Sequence, residues 1–136
     1  MSPDLARLRD MAARYTAAWC SQDPARVAGF FAPDGSLRVN DAAPAVGRDA
    51  IASVAQGFMT AFPDMQVLMD SLAIEGHALV YRWTLVGTST GPGGTGHRVG
   101  IQGFEEWRLD ADDLIAESLG HFDQDEYARQ LAGPKA

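Results

Sequence analysis

Residues 98–109 read RVGIQGFEEWRL. Taken with a period of two, Val99, Ile101, Gly103, Glu105, Trp107 and Leu109 share one face of a strand, while Arg98, Gly100, Gln102, Phe104, Glu106 and Arg108 share the other. The first face is apolar except for Glu105. That is the pattern of a strand with one side against a core and the other toward solvent.

The neighbouring segments extend the same reading. Residues 65–75, 78–90 and 113–122 are also β-rich, separated by Glu75-Gly76, a glycine-rich stretch and Asp110 to Asp112. Four consecutive antiparallel strands are expected. The first half of the chain has a different period. Leu5, Leu8, Ala12, Tyr15 and Trp19 recur at three- and four-residue steps, which predicts an amphipathic helix over residues 3 to about 21, started by Ser2 and Pro3. Asp23-Pro24 repeats the start signal for a short second helix, with Val27, Phe30 and Phe31 on one side, ended by FAPDG. Ser36 to Asn40 reads as a short strand. Gly47 to Phe62 carries Ile51, Val54, Phe58 and Phe62 at helical spacing before Pro63 stops it. The tail DQDEYARQLAGPKA is expected to form one or two closing turns and then fray. The result is an α+β fold in which helices close the concave face of a curved sheet, leaving a pocket.

The 136 residues fit one domain, 1–136, and 46% apolar residues supply its core. Eleven Lys and Arg against eighteen Asp and Glu give a formal charge of −7, which repels phosphate backbones and anionic lipid alike. Neither a nucleic-acid nor a membrane partner is expected. The single cysteine, Cys20, permits no internal disulfide and suits a reducing compartment. The opening MSPDLARLRD lacks the apolar centre of a secretory signal, and no later run approaches a membrane span. A soluble, cytoplasmic protein is the expectation.

Glu105 is the residue of chemical interest. Desolvation on an apolar face raises a carboxyl above its usual value of about 4.3, and a neutral acid can donate a hydrogen bond. A protonated acid beside a phenol stabilises a developing enolate oxygen in ketosteroid isomerase. Tyr15 is the candidate phenol, because the apolar face of the first helix must pack on the side of the sheet to which Glu105 points. The alternative is a structural acid bonded to a backbone amide or an arginine, with Tyr15 as core.

Along the last strand, Ala116, Ser118, Gly120 and Phe122 alternate with Ile115, Glu117, Leu119 and His121. The first set is mostly small and either leaves room for a ligand against Phe122 or is filled by helix side chains. The expected lining is Trp19, Val39, Phe58, Trp83, Trp107, Ser118, Gly120 and Phe122. His77, His97 and His121 lack metal-ligand spacing, so no metal is expected, and only His121 is kept as a candidate. Met59, Met65 and Met69 with Trp83 and Trp107 suit core packing better than a cofactor box, and no cofactor is expected. GTSTGPGGTGHR joins two strands rather than opening a helix, which makes it a flexible hairpin tip and not a phosphate loop. No nucleophile elbow is present.

Three strings, RYTAAWCSQDPARVAGFFAPDGSLRV, AFPDMQVLMDSLAIEGHALVYRWTLVGTSTGP and VGIQGFEEWRLDADDLIAESLGHFD, make the chain resemble the nuclear transport factor 2-like superfamily, in particular its SnoaL-like polyketide cyclase branch. The resemblance spans nearly the whole chain. It implies a cone-shaped, curved mixed or antiparallel sheet with three to four helices enclosing a pocket, a cystatin-like α+β barrel, commonly as a homodimer and without a cofactor. Members include polyketide ester cyclases, ketosteroid isomerases, epoxide hydrolases, dehydratases and binding modules. Tyr15 in RYTAAW matches the isomerases' oxyanion-hole tyrosine, and Glu105 in GFEEWRL occupies the place of their protonated aspartic acid. Their carboxylate base falls at Val39, with Asn40 and Asp41 just beyond. The cyclase and epoxide hydrolase aspartate falls at Gly120, beside His121 and three residues before Asp123. Ser89 stands where many SnoaL-like proteins carry histidine.

Three functions follow as expectations. One is a cofactor-free cyclase or isomerase for a small apolar carbonyl compound, using Tyr15, Glu105 and either Asp41 or His121 as base. Another is a non-catalytic module holding a small hydrophobic ligand. The third is an interaction protein, or homodimer, using the outer sheet face, where Val80, Val86 and Phe104 mix with Arg82, Thr84, Gln102 and Glu106.

Overall fold

The computed structural model describes residues 3–133; Ser2 as a helix starter and the fraying end of the tail lie outside them. The expected strand forms over Arg98–Leu109, β5 of the structure, with Val99, Ile101, Glu105 and Trp107 buried and Arg98, Gly100 and Gln102 exposed. Its neighbours are β4 (Ala78–Thr88) and β6 (Ile115–Phe122), both antiparallel, and β3 (Gln66–Glu75) pairs antiparallel with β4. β1 (Phe31–Val39) adds to β6 in parallel, and a two-residue β2 (Ala45–Val46), which has no sequence signal, closes the edge. The strand order β2-β1-β6-β5-β4-β3 is a mixed sheet that curves without closing into a complete barrel.

Two local irregularities depart from simple alternation. β1 starts at Phe31, five residues before the expected Ser36, so FAPDG does not end a helix but is the start of the strand. Between the pairs Phe31↔Ile115 and Ser36↔Glu117 the register shifts, and Pro33, which has no N–H to give a ladder, falls in that shift. At Gly35 a Cβ would stand 2.7 Å from the Ile115 carbonyl oxygen, which restricts the position to glycine. A second shift between Arg108 and Leu109 turns the start of β6 by one residue, so that Ile115 and not Ala116 enters the core. From Ser118 onward the expected alternation holds.

The helices lie as the apolar spacing predicts. α1 (Pro3–Cys20) buries Met11, Ala12, Tyr15, Ala18 and Trp19. α2 is shorter than expected, Pro24–Ala28, capped by Asp23, whose carboxylate accepts from the Ala25 N–H at 3.1 Å. α3 (Arg48–Ala61) buries Ile51, Ala55 and Met59. α4 (Gln124–Ala132) is longer than the expected turn or two and is capped by Asp123 through the Glu126 N–H. Gln130 of α4 bonds both the N–H and the carbonyl of Gly100, which satisfies backbone of β5 ahead of its first β6 pair at Gly103.

The glycine-rich hairpin is docked, not free. The Gly91 N–H donates to the Ala61 carbonyl, and a Cβ at Gly91 would overlap the Thr60 carbonyl oxygen at 2.0 Å. The missing side chain lets the loop sit directly on the end of α3. No helix among the described residues is long and apolar enough to cross a membrane.

Candidate functional site

Glu105 is buried between α1 and the sheet, where three neutral donors meet it. The Ser118 hydroxyl reaches Oε1 at 2.7 Å, the Trp107 indole N–H at 3.0 Å and the Tyr15 hydroxyl at 3.0 Å; Tyr15 also lies 3.3 Å from Oε2. The donors arrive from separate parts of the chain. Ser118 comes through β6, where Trp107↔Ser118 and Glu105↔Gly120 are cross-strand pairs, and Tyr15 comes down from α1. Tyr15 is held by rings on several sides: Trp107 at 5.1 Å, Tyr81 at 5.5 Å and Phe30 at 5.6 Å, each edge to face. Trp107 in turn stacks on Tyr81 at 4.8 Å, and the Tyr81 hydroxyl pairs with Thr16 Oγ1 at 2.5 Å.

Burial pushes the Glu105 carboxyl above the ordinary carboxylate range, and the bonds from Trp107, Ser118 and Tyr15 only partly oppose it. Burial, reinforced by the nearby Glu105, pushes the Tyr15 phenol well above its usual value, so it remains a neutral donor. With Oε1 bonded by three donors and Oε2 met only at 3.3 Å by the Tyr15 hydroxyl, Oε2 is the oxygen with more capacity left for a proton.

Glu105 also borders a cavity of about 60 Å³. By a measure in which one water needs roughly 10–15 Å³, that space suits a small molecule or the leading end of a larger one. Six of the eight expected lining residues are there: Trp19, Val39, Phe58, Trp83, Gly120 and Phe122. The other two are not. Trp107 and Ser118 lie behind Glu105 as its donors, almost without exposure, and neither borders the cavity. Tyr15 is behind the carboxyl as well, so the acid and phenol are in contact but only the acid opens onto the cavity.

Two of the four candidate catalytic residues are elsewhere. His121 points to the outer face of the sheet, where Nε2 is 2.8 Å from Glu106 and the ring stacks on Phe104 at 4.7 Å. Asp41 is fully exposed and 3.7 Å from Arg38. Both border a separate polar groove with Asn40 and Gln124, because β-strand alternation places His121 opposite to Gly120 and Phe122. The structure therefore removes them from the Glu105 cavity.

Leu37, Val54, Val67, Tyr81, Leu85, Ile101 and Tyr127 also line the cavity without having been anticipated. Val54 and Ile101 were readable from the apolar faces of α3 and β5. Tyr127 was not, since it reaches the cavity only through the docking of α4, where it meets Phe122 at 5.4 Å and Phe62 at 6.4 Å. Ser89, at the family's histidine position, is buried and accepts from the Thr95 N–H as part of the hairpin.

A family model described as SnoaL-like polyketide cyclase matches residues 9–131. No curated protein matches the chain. Among solved structures, TsrD from Streptomyces laurentii is similar with a TM-score of 0.80 at 20% identity, over 98% of this chain and 99% of that one. AclR from Streptomyces galilaeus gives 0.79 at 24% identity, over 96% and 84%. A Catenulispora acidiphila DSM 44928 protein with a ketosteroid isomerase-like fold, solved with trimethylamine, gives 0.79 at 16% identity, over 98% and 96%. These likenesses are of fold, and the neighbours share the cone-shaped architecture implied by the sequence resemblance.

Proposed function

The chain belongs to the SnoaL-like polyketide cyclase family, and from that premise we propose that it is a cofactor-independent enzyme of isomerase or ester-cyclase type acting on a small apolar carbonyl compound, polyketide- or steroid-like. The observation that carries this reading is Glu105, a buried carboxyl at the edge of an otherwise apolar cavity, with one oxygen met by three donors and the other only by the longer 3.3 Å contact from Tyr15. In its protonated form Glu105 donates to the substrate carbonyl and stabilises negative charge developing there. Tyr15, Ser118 and Trp107 position the acid and do not touch the substrate. The apolar walls lower the local dielectric and strengthen that single hydrogen bond.

A non-catalytic ligand-binding module is the second reading. It is favoured by the position of Asp41 and His121 outside the cavity, which leaves Glu105 without a separate carboxylate or imidazole base among the described lining residues. Exchange of the α-protons of small ketones and keto esters in D2O separates the two. Catalysis, with solvent or buffer base taking the α-proton while Glu105 holds the developing enolate oxygen, predicts exchange above the buffer rate that falls by about 100-fold in Glu105→Gln. Ligand-induced thermal stabilisation with no exchange leaves only the binding module.

We also propose a cytoplasmic homodimer joined through the outer sheet face. There Arg82 lies over the Phe104 ring at 5.3 Å and Phe104 stacks on His121, a mixed apolar and charged surface of the kind found at interfaces. Sedimentation velocity is expected to give a dimer that Phe104→Glu dissociates. A monomer at all concentrations would remove the interface.

A further inference from the structure

The elements around the apolar cavity are held with unequal strength. Its wall is built from the laddered strands, from α1 and α3, each of which buries side chains completely, and from Tyr127 of α4. α4 differs from the rest. None of its described residues is fully buried, and Tyr127 and Leu131 pack against the core with only part of their surface. The Tyr127 ring meets Phe122 at 5.4 Å and Phe62 at 6.4 Å, and so bridges the end of β6 to the end of α3. An element with so little buried surface opens locally while the rest of the fold stays intact.

The bonds that hold α4 down lie at its two ends. At the far end Gln130 Oε1 accepts from the Gly100 N–H at 2.7 Å, and Nε2 donates to the Gly100 carbonyl at 3.0 Å. Nε2 also donates to Glu126 Oε2 at 2.7 Å, which fixes the orientation of the amide. Gly133, just past the helix, packs on the His97 ring. At the near end Asn40 donates to Gln124 Oε1 at 3.0 Å and accepts from the Phe122 N–H at 2.9 Å. Gly100 is exposed, so when Gln130 withdraws, its N–H and carbonyl pass to water and are not orphaned. Release then costs two ordinary hydrogen bonds and the covered part of Tyr127. We propose that α4 is a lid, with Gln130 on Gly100 as its latch and the Asn40 contacts as its pivot. Release of the latch swings Tyr127 out of the wall and opens the cavity to a ligand. The lid serves a catalytic cavity and a binding module alike.

Trapping the open cavity with a thiol reagent tests this without a ligand. Ile101 lines the cavity from the central strand β5 and is buried. In a Cys20→Ala background, which removes the single native cysteine, Ile101→Cys puts a thiol there that methyl methanethiosulfonate labels only on opening. Gln130→Ala is expected to raise the labelling rate by about tenfold. Asn40→Gly keeps the turn at a φ of 51° and removes both side-chain bonds of the pivot, and it should raise the rate by roughly threefold. Both rates should keep the shallow urea dependence of a local opening. Amide exchange of Gly100 in the unaltered chain is a second readout, expected to show the same shallow dependence. A labelling rate unchanged by Gln130→Ala would put the entrance elsewhere and overturn the lid. So would Gly100 exchange, or thiol labelling, that rises with urea as steeply as global unfolding.

Discussion

Glu105→Leu is expected to lower the free energy of unfolding by about 3–5 kcal/mol, because it leaves Ser118, Trp107 and Tyr15 as buried donors without an acceptor. Each such orphan costs about 1–3 kcal/mol, and relaxation of the two hydroxyls keeps the total below a simple sum. Glu105→Gln keeps the accepting oxygen and should remain within about 1 kcal/mol of the parent at neutral pH. The pair also reports the protonation of Glu105. Its folded carboxyl is raised above the ordinary value of 4.5, chiefly by burial, so the native state holds the proton more tightly than the unfolded chain. Its contribution to stability is therefore fully present below about pH 4.5 and is lost as the pH rises through the folded value. Relative to Glu105→Gln, the parent should lose stability across that interval. Asp64 and Glu126 are shifted the other way, by hydrogen bonds from Thr88 and Arg129, but both variants share them and the difference cancels their effect. Urea denaturation of the three proteins between pH 4 and 8 measures all of this. A Glu105→Leu protein as stable as the parent would show that the three donors find other acceptors.

Gly103→Ala is expected to destabilise the protein by about 2–3 kcal/mol and to abolish ligand binding with the same methyl group. The added Cβ would meet the His121 carbonyl oxygen at 2.5 Å and the Trp83 ring at 2.5 and 2.8 Å. The carbonyl belongs to the β5–β6 ladder and moves only with the sheet, so the indole must yield, and the space beside it is the cavity. The denaturation midpoint and the thermal shift with ethyl acetoacetate report the two effects separately. Retained binding at reduced stability would mean that the strand, rather than Trp83, absorbs the clash.

Much of this arrangement is legible in the chain. The inward face of β5, the amphipathic first helix and the meeting of Tyr15 with Glu105 all follow from side-chain periods of 2.0 and 3.6 and from the need to bury two apolar faces against each other. The failures fall where the period is interrupted. The shift before Ser36 converts FAPDG from a helix stop into the start of β1, and the shift at Leu109 exchanges Ile115 for Ala116 in the core. His121 and Asp41 lie close in sequence to Gly120 and Val39, but His121 is the next residue of a strand and faces the opposite way, and Asp41 lies beyond the end of β1, where the chain turns at Asn40 with a φ of 51° and carries it to the surface.

By itself, then, the sequence determined that a lone carboxyl would be buried beneath a helix, because Glu105 shares its face with Val99, Ile101 and Trp107 and that face has to leave water. Only the tertiary structure decided how the carboxyl is held and what reaches the ligand. The donors from Tyr15 and Ser118 are separated from it by 90 and 13 residues along the chain, and the closure of the cavity by Tyr127 depends on where α4 docks. Local periodicity sets which side of an element a residue takes. Which of two buried groups stands in front, and which behind, is set by the packing of several elements at once.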